Sequence, residues 1–217
     1  MGLVIDRWAT APAAAQRAVI LPDGCRDIIL SVGQAAEIHV SPLDLAARVV
    51  TGRSGVRLTG YRLRPGAWLV PADREEALRA RPDDPEGAVA LMLEAVQSDA
   101  EADAAIAALA FGAPLPHVAR HLGVSPRQVQ RRFAALGLPV PGFWAMLGRA
   151  RRAVLMLAGD DPLGGIAAEA GYADQPHMNR DFARFFATTP AAMRADPGLR
   201  RLVAQPGLAT GEQISTR

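Results

Sequence analysis

The sequence predicts an α+β protein. A small β barrel or sandwich comes first, followed by an all-α domain in which two helix-turn-helix units are joined by a linker helix. Three observations carry that expectation. Short runs rich in β-branched residues fill the first part of the chain and give way to Ala- and Leu-rich stretches after Asp83. Residues 114–190 repeat one plan twice. Charge is also divided unevenly: residues 1–110 carry 11 Arg against 15 Asp and Glu, whereas residues 111–217 carry 13 Arg against 7 acids.

In the first part, "RDIILSV", "AEIHV", "ARVVTG", "VRLTGYRLRPG" and "AWLV" read as short strands. "LPDG", "SPLD", "GRSG" and "RPG" are the turns between them. "PEGAVALMLEAVQS" and "DAEADAAIAALAFG" follow as amphipathic helices, the second with Asp99 as its N-cap. The expected divisions are a β-rich module over 1–82, a connecting helix over 83–98, the helical domain over 99–197 and a flexible tail over 198–217. One cysteine, Cys25, leaves no internal disulfide framework, and burial as a small apolar residue is preferred for it over a redox role. No apolar run approaches the ~18 residues of a membrane span, and the start "MGLVIDRWAT" lacks the pattern of a secretion signal. A cytoplasmic protein without a membrane partner is expected.

The repeat is the most informative feature. "PLPHVARHLGVSPRQVQRRF" and "PLGGIAAEAGYADQPHMNRDF" each give a short helix, a Gly turn (Gly123, Gly171), an N-cap (Ser125, Asp174) and a helix with Arg two before Phe. At about 100° per residue, Val129, Phe133 and Leu136 form the buried stripe of the first such helix, with Arg127, Gln130, Arg131 and Ala134 opposite. In the second, Met178, Phe182 and Phe185 face in and Pro176, Asn179, Arg180 and Ala183 face out, with Gln175 in the first turn. Helices exposing Arg, Gln and Asn suit the major groove of double-stranded DNA, where Arg pairs with guanine and Gln or Asn with adenine. Arg132 and Arg184, at the flanks, are placed for phosphates. The intervening "PGFWAMLGRARRAVLMLAG", about 18 helical residues or 27 Å, could hold two reading heads on successive groove faces about 34 Å apart. Its Arg149, Arg151 and Arg152 either touch phosphates or cap and solvate the rod.

These residues resemble the DNA-binding domain of AraC/XylS-type transcriptional regulators. The resemblance covers 99–196 and rests on "HLGVSPRQVQRRF", on "RARRAVLML" and above all on "AGYADQPHMNRDFARFFATTP". It implies sequence-specific base readout by Arg127, Gln130 and Arg131 and by Gln175, Asn179 and Arg180. The chain departs from the pattern at Ala187, where Gly is usual, and at Pro176 and Asp181. Asp181 would repel phosphate unless it pairs with His177 or Arg184, so weaker reading by the second unit is expected. "LPDGCRDIILSV" and "YRLRPGAW" resemble the cupin-like sensor module of one branch of these regulators. That implies a regulatory or dimerising role, with a small-molecule effector and a homodimer both open.

Other chemistry finds little support. His117 and His121 stand four apart without a third metal ligand. His39 is the one histidine of the β region, too few for a two-histidine iron site. Neither a cofactor nor an enzymatic activity is expected, since no nucleophile–base pair is visible. Trp68 is the best candidate to line an effector pocket. The alternatives are a small-molecule-binding or enzymatic β barrel with a helical interaction scaffold, and a sequence-indifferent DNA binder.

Overall fold

The computed structural model describes residues 2–11, 14–15 and 17–209, so residues 210–217 of the expected tail lie outside the described residues. The chain divides into two compact units. One comprises Met1–Ile20, Cys25–Leu43 and Arg48–Asp99; the other comprises Leu21–Gly24, Asp44–Ala47 and Ala100–Arg217. The α+β class holds, with antiparallel strands in the first unit and helices throughout the second.

The first unit contains β1 (Val4–Thr10), β2 (Arg17–Ile20), β3 (Asp27–Val32), β4 (Ala36–Val40), β5 (Arg48–Thr51) and β6 (Arg57–Leu63). Four strands form a sheet in the order β1-β6-β3-β4, and β2 pairs with β5 in a two-stranded ribbon. On β3 the alternate residues Ile28 and Leu30 are buried; they lie opposite Val40 and Ile38 of β4 and opposite Tyr61 and Thr59 of β6. This period-2 face joins Leu63, Val89 and Met92 in the core of the unit. At its edge Arg62 and Asp27 form an ion pair at 3.2 Å. Cys25 is buried.

Two parts of this unit differ from the sequence expectation. "AWLV" is not a strand: only Trp68 pairs, through a two-way backbone bridge with Gln97 of 2.8 and 3.0 Å. The half-buried Trp68 is thereby held by its main chain. Directly after it comes α1 (Pro71–Ala80), which begins with Pro at its first turn and buries only Ala77. A helix with so thin an apolar stripe gives almost no periodic signal. The segment expected to connect the domains forms α2 (Pro85–Glu94), N-capped by Asp84, and packs Ala88, Val89 and Met92 against β3 and β4.

The second unit contains α3 (Ala100–Ala110), α4 (Leu115–His121), α5 (Pro126–Ala135), α6 (Pro141–Met156), α7 (Leu163–Glu169), α8 (Gln175–Phe186), α9 (Pro190–Ala195) and α10 (Pro197–Ala204). The linker helix α6 has 16 residues, about 24 Å. It is no solvated rod. Phe143, Trp144, Leu147, Gly148, Ala150, Arg151, Ala153 and Val154 are all buried, and α6 touches α3, α5, α7, α8, α9 and α10. Trp144 donates its indole N–H to the Pro139 carbonyl at 3.1 Å, and Phe143 meets Phe185 of α8 edge-on at 6.0 Å.

The arginines of α6 correct the sequence reading. Arg151 is fully buried and donates to three backbone carbonyls: Leu208 at 2.8 Å, Gln205 at 3.0 Å and Pro22 at 3.2 Å. Arg152, half-buried, donates to the Ala110 carbonyl. Fully buried, Arg151 cannot reach a phosphate from there. Two of its carbonyl acceptors, Gln205 and Leu208, lie in the expected flexible tail, which up to residue 209 is ordered against the second unit. Residues 197–204 are helical, and Leu208, whose N–H donates to Asp23 at 2.7 Å, is fully buried with Ala209.

Where α3 and α6 cross, a Cβ added at Gly148 would lie 2.5 Å from the Ala110 carbonyl oxygen and 2.6 Å from its Cα. Both obstacles are backbone, so Gly148→Ala forces the helices apart. It should destabilise the protein by about 1–3 kcal/mol, read as a lowered midpoint in urea unfolding. At the other extreme, Ala187 ends α8 in the left-handed conformation with φ 51°. An L side chain there costs roughly 1–2 kcal/mol. Ala187→Gly should raise stability by about 0.5–1 kcal/mol in the same experiment.

Candidate nucleic-acid interface

Each reading helix is started by an explicit cap. On α5, the Ser125 hydroxyl accepts from Gln128 N–H at 3.3 Å and the Gln128 side chain accepts from Ser125 N–H at 2.7 Å, a complete capping box. On α8, the Asp174 carboxylate accepts from His177 N–H at 2.6 Å. Both helices carry Pro in the first turn, where no N–H partner is lost. The turns before them use Gly123 at φ 70° and Gly171 at φ 87°, a conformation that suits glycine. The second turn is one residue longer, since α5 begins three residues after its glycine and α8 four.

Burial then divides each helix. Val129 and Phe133 of α5 face inward, Leu136 is half-buried, and Arg127, Gln130, Arg131 and Ala134 are exposed. On α8, Met178, Phe182, Phe185 and Phe186 are buried, Pro176, Asn179, Arg180 and Ala183 are exposed, and Gln175 is half-buried. Phe182 and Phe186 stack edge-on at 5.3 Å, one turn apart. The two sets of candidate base-reading residues thus form one outward row on each helix.

The phosphate candidates fare differently. Arg184 is exposed, with its guanidinium 5.4 Å from the Phe185 ring centroid. Arg132 turns back to α3 and pairs with Glu101 at 2.6 Å. Arg132 lies at the exposed flank where the wheel places it, with an acid from an earlier helix beside its guanidinium. The groove beside it, of about 270 Å³, is lined by Glu101, Leu122, Val129, Phe133, Arg131 and Arg132. It falls short of the roughly 300–1,000 Å³ of ordinary ligand sites.

Asp181 resolves differently from either partner the sequence offered. It is buried, and Arg149 of α6 donates to its carboxylate at 2.9 Å. The same Arg149 nitrogen lies 3.2 Å from His177 Nε2, its other terminal nitrogen reaches the Gly171 carbonyl at 3.5 Å, and the guanidinium sits 4.2 Å over the Tyr172 ring. Tyr172 meets His177 edge-on at 5.1 Å. Burial, reinforced by the Asp181 carboxylate, pushes the Tyr172 hydroxyl well above its ordinary pKa, so it stays a neutral phenol. No negative charge from Asp181 is therefore presented to solvent on the reading face. Arg149 was the residue the sequence could not place, because its acceptors lie 22 to 32 positions further along the chain.

Residues 118–196 match the helix-turn-helix domain family. A Chromobacterium violaceum transcriptional regulator with an AraC-type DNA-binding domain is similar at 27% identity, over 50% of this chain and 96% of its own, with a TM-score of 0.41. ToxT of Vibrio cholerae is similar in two structures. One has 6% identity over 88% of this chain and 97% of its own, with a TM-score of 0.42. The other has 7% identity over 88% and 96%, with a TM-score of 0.43. No curated protein matches the chain. Two capped helix-turn-helix units, with polar rows facing out and phenylalanines facing in, account for the match of residues 118–196 to a helix-turn-helix domain.

Proposed function

We propose that the two outward rows read two adjacent major-groove segments of one duplex. Arg127, Gln130 and Arg131 act in one segment and Gln175, Asn179 and Arg180 in the other. The observation that carries this reading is the matched division of α5 and α8, each with its aromatic residues buried and its bidentate donors exposed. Arg contacts guanine N7 and O6, while Gln and Asn contact adenine N7 and N6, and Ala134 and Ala183 leave room for thymine methyl groups. Arg184 holds phosphate, and Arg132 does so only by leaving Glu101. Before any base is read, the helix N-termini and exposed arginines bring the duplex in by long-range attraction. The chain acts in the cytoplasm, by binding and not by catalysis. The first unit supplies regulation or dimerisation.

Selection of bound fragments from a random duplex pool, followed by competition against unrelated duplex, tests this reading. Arg131→Ala should cost about 1–3 kcal/mol on the selected site and relax preference at one base position. Equal losses on selected and unrelated duplex would assign Arg131 to phosphate instead. Of the exposed cations of the two units, Arg127, Arg131 and Arg180 are assigned to bases and Arg132 pairs with Glu101, which leaves Arg120 and Arg184 for phosphate. With about two phosphates neutralised, log affinity should fall against log salt with a slope near −1.8. A slope well beyond that would mean that arginines outside these units also meet the backbone.

A further inference from the structure

We propose that Arg149 is the positioning residue of the second reading helix: from α6 it fixes the rotation of α8, and so decides which side chains α8 offers to a duplex. The proposal rests on the base-reading assignment above and extends it to a residue that touches no nucleotide. Arg149 is the hub of a set of contacts that all converge on the second unit. It binds the turn, through the Gly171 carbonyl and the face of Tyr172, and two successive turns of α8, through His177 and Asp181. His177 and Asp181 are four apart and lie on one side of the helix. Asn179 falls about 160° from either, on the far side. Gripping the first pair therefore aims the second residue outward.

Packing alone would not fix this angle as tightly. The buried stripe of α8 consists of Met178, Phe182, Phe185 and Phe186. Rings and thioethers tolerate small rotations against apolar neighbours, because dispersion is not directional. A guanidinium–carboxylate contact at 2.9 Å with both side chains largely buried is directional. The charge pair of the first reading helix is of another kind: its inward face offers Val129 and Phe133, and Arg132 pairs with Glu101 at a flank where the two side chains are 42% and 50% exposed. The pair thus acts on one head only, and this asymmetry makes it testable.

The experiment uses the full chain and a duplex bearing the selected site, with single-base changes placed in either segment. The segment whose preference relaxes in Arg131→Ala is the one read by α5. Arg149→Met alone leaves the Asp181 carboxylate buried and unpaired, and is expected to lower thermal stability. The double variant Arg149→Met with Asp181→Leu replaces the pair by apolar groups of similar bulk, and should regain most of that stability. Discrimination in the α5 segment should then be that of the wild type. Discrimination in the α8 segment, roughly 5- to 150-fold per position in the wild type, should fall at least several-fold. A double variant that recovers stability and retains full discrimination in both segments would overturn the proposal, leaving the pair a purely structural contact. Equal losses in the two segments would also overturn it. A wild type that discriminates in neither segment would bring down the base-reading assignment itself, and that is seen before any variant is made.

Discussion

The second unit depends on one constraint: α6 must be buried on nearly all sides while carrying three arginines. A helix apolar all round packs stably when it sits at a centre, and α6 does so by touching six other helices. Arginine in such a place needs hydrogen-bond partners to offset its desolvation. Arg151 finds three backbone carbonyls, Arg152 finds the end of α3, and Arg149 finds a carboxylate on α8. The bonds do more than offset desolvation. They tie chain segments far apart in sequence to one helix, and the two reading helices are held against that same helix. What was expected as a spacer between two heads is the body on which both are mounted.

Close approach is the second requirement. Gly148 lets α3 come so near that a methyl group would meet the Ala110 backbone. Leu147, Ala150, Ala153 and Val154 fill the remaining contacts with small or compact side chains. The scarcity of aromatic residues, 5% of the chain, acquires a meaning here. Phe133, Phe143, Trp144, Phe182 and Phe185 are all buried in this unit. Phe143 of α6 and Phe185 of α8 are in edge-on contact across the interface of those two helices.

Much of this was legible in the sequence, for identifiable reasons. The caps at Ser125 and Asp174, the glycine turns and the Phe stripe are local, periodic signals, and the structure places each where the pattern put it. The strand runs around Ile28, Ile38 and Val49 were equally local. The failures have a common cause. Trp68 pairs with Gln97, and Arg151 binds Leu208, 57 positions away; no local pattern encodes such partners. The helix Pro71–Ala80 was missed because it buries almost nothing, and β1 because its burial pattern does not alternate cleanly between faces. Asp181 looked like a charge on the reading face because its position in the motif is next to Arg180. Adjacent residues on a helix point about 100° apart, and the partner that receives Asp181, Arg149, stands 32 positions away on another helix.

The fate of the arginines changes the electrostatic picture that composition suggests. Seven arginines and no acid lie between Asp103 and Asp160, which reads as a strongly basic surface. Yet Arg149, Arg151 and Arg152 turn inward and Arg132 is matched by Glu101. Arg120, Arg127 and Arg131 remain exposed in that stretch. Non-specific affinity grows with the number of phosphates a protein neutralises, whereas base contacts carry the sequence information. Four of the seven positive charges of this stretch thus serve the protein's own contacts, and less positive charge faces outward than composition alone suggests.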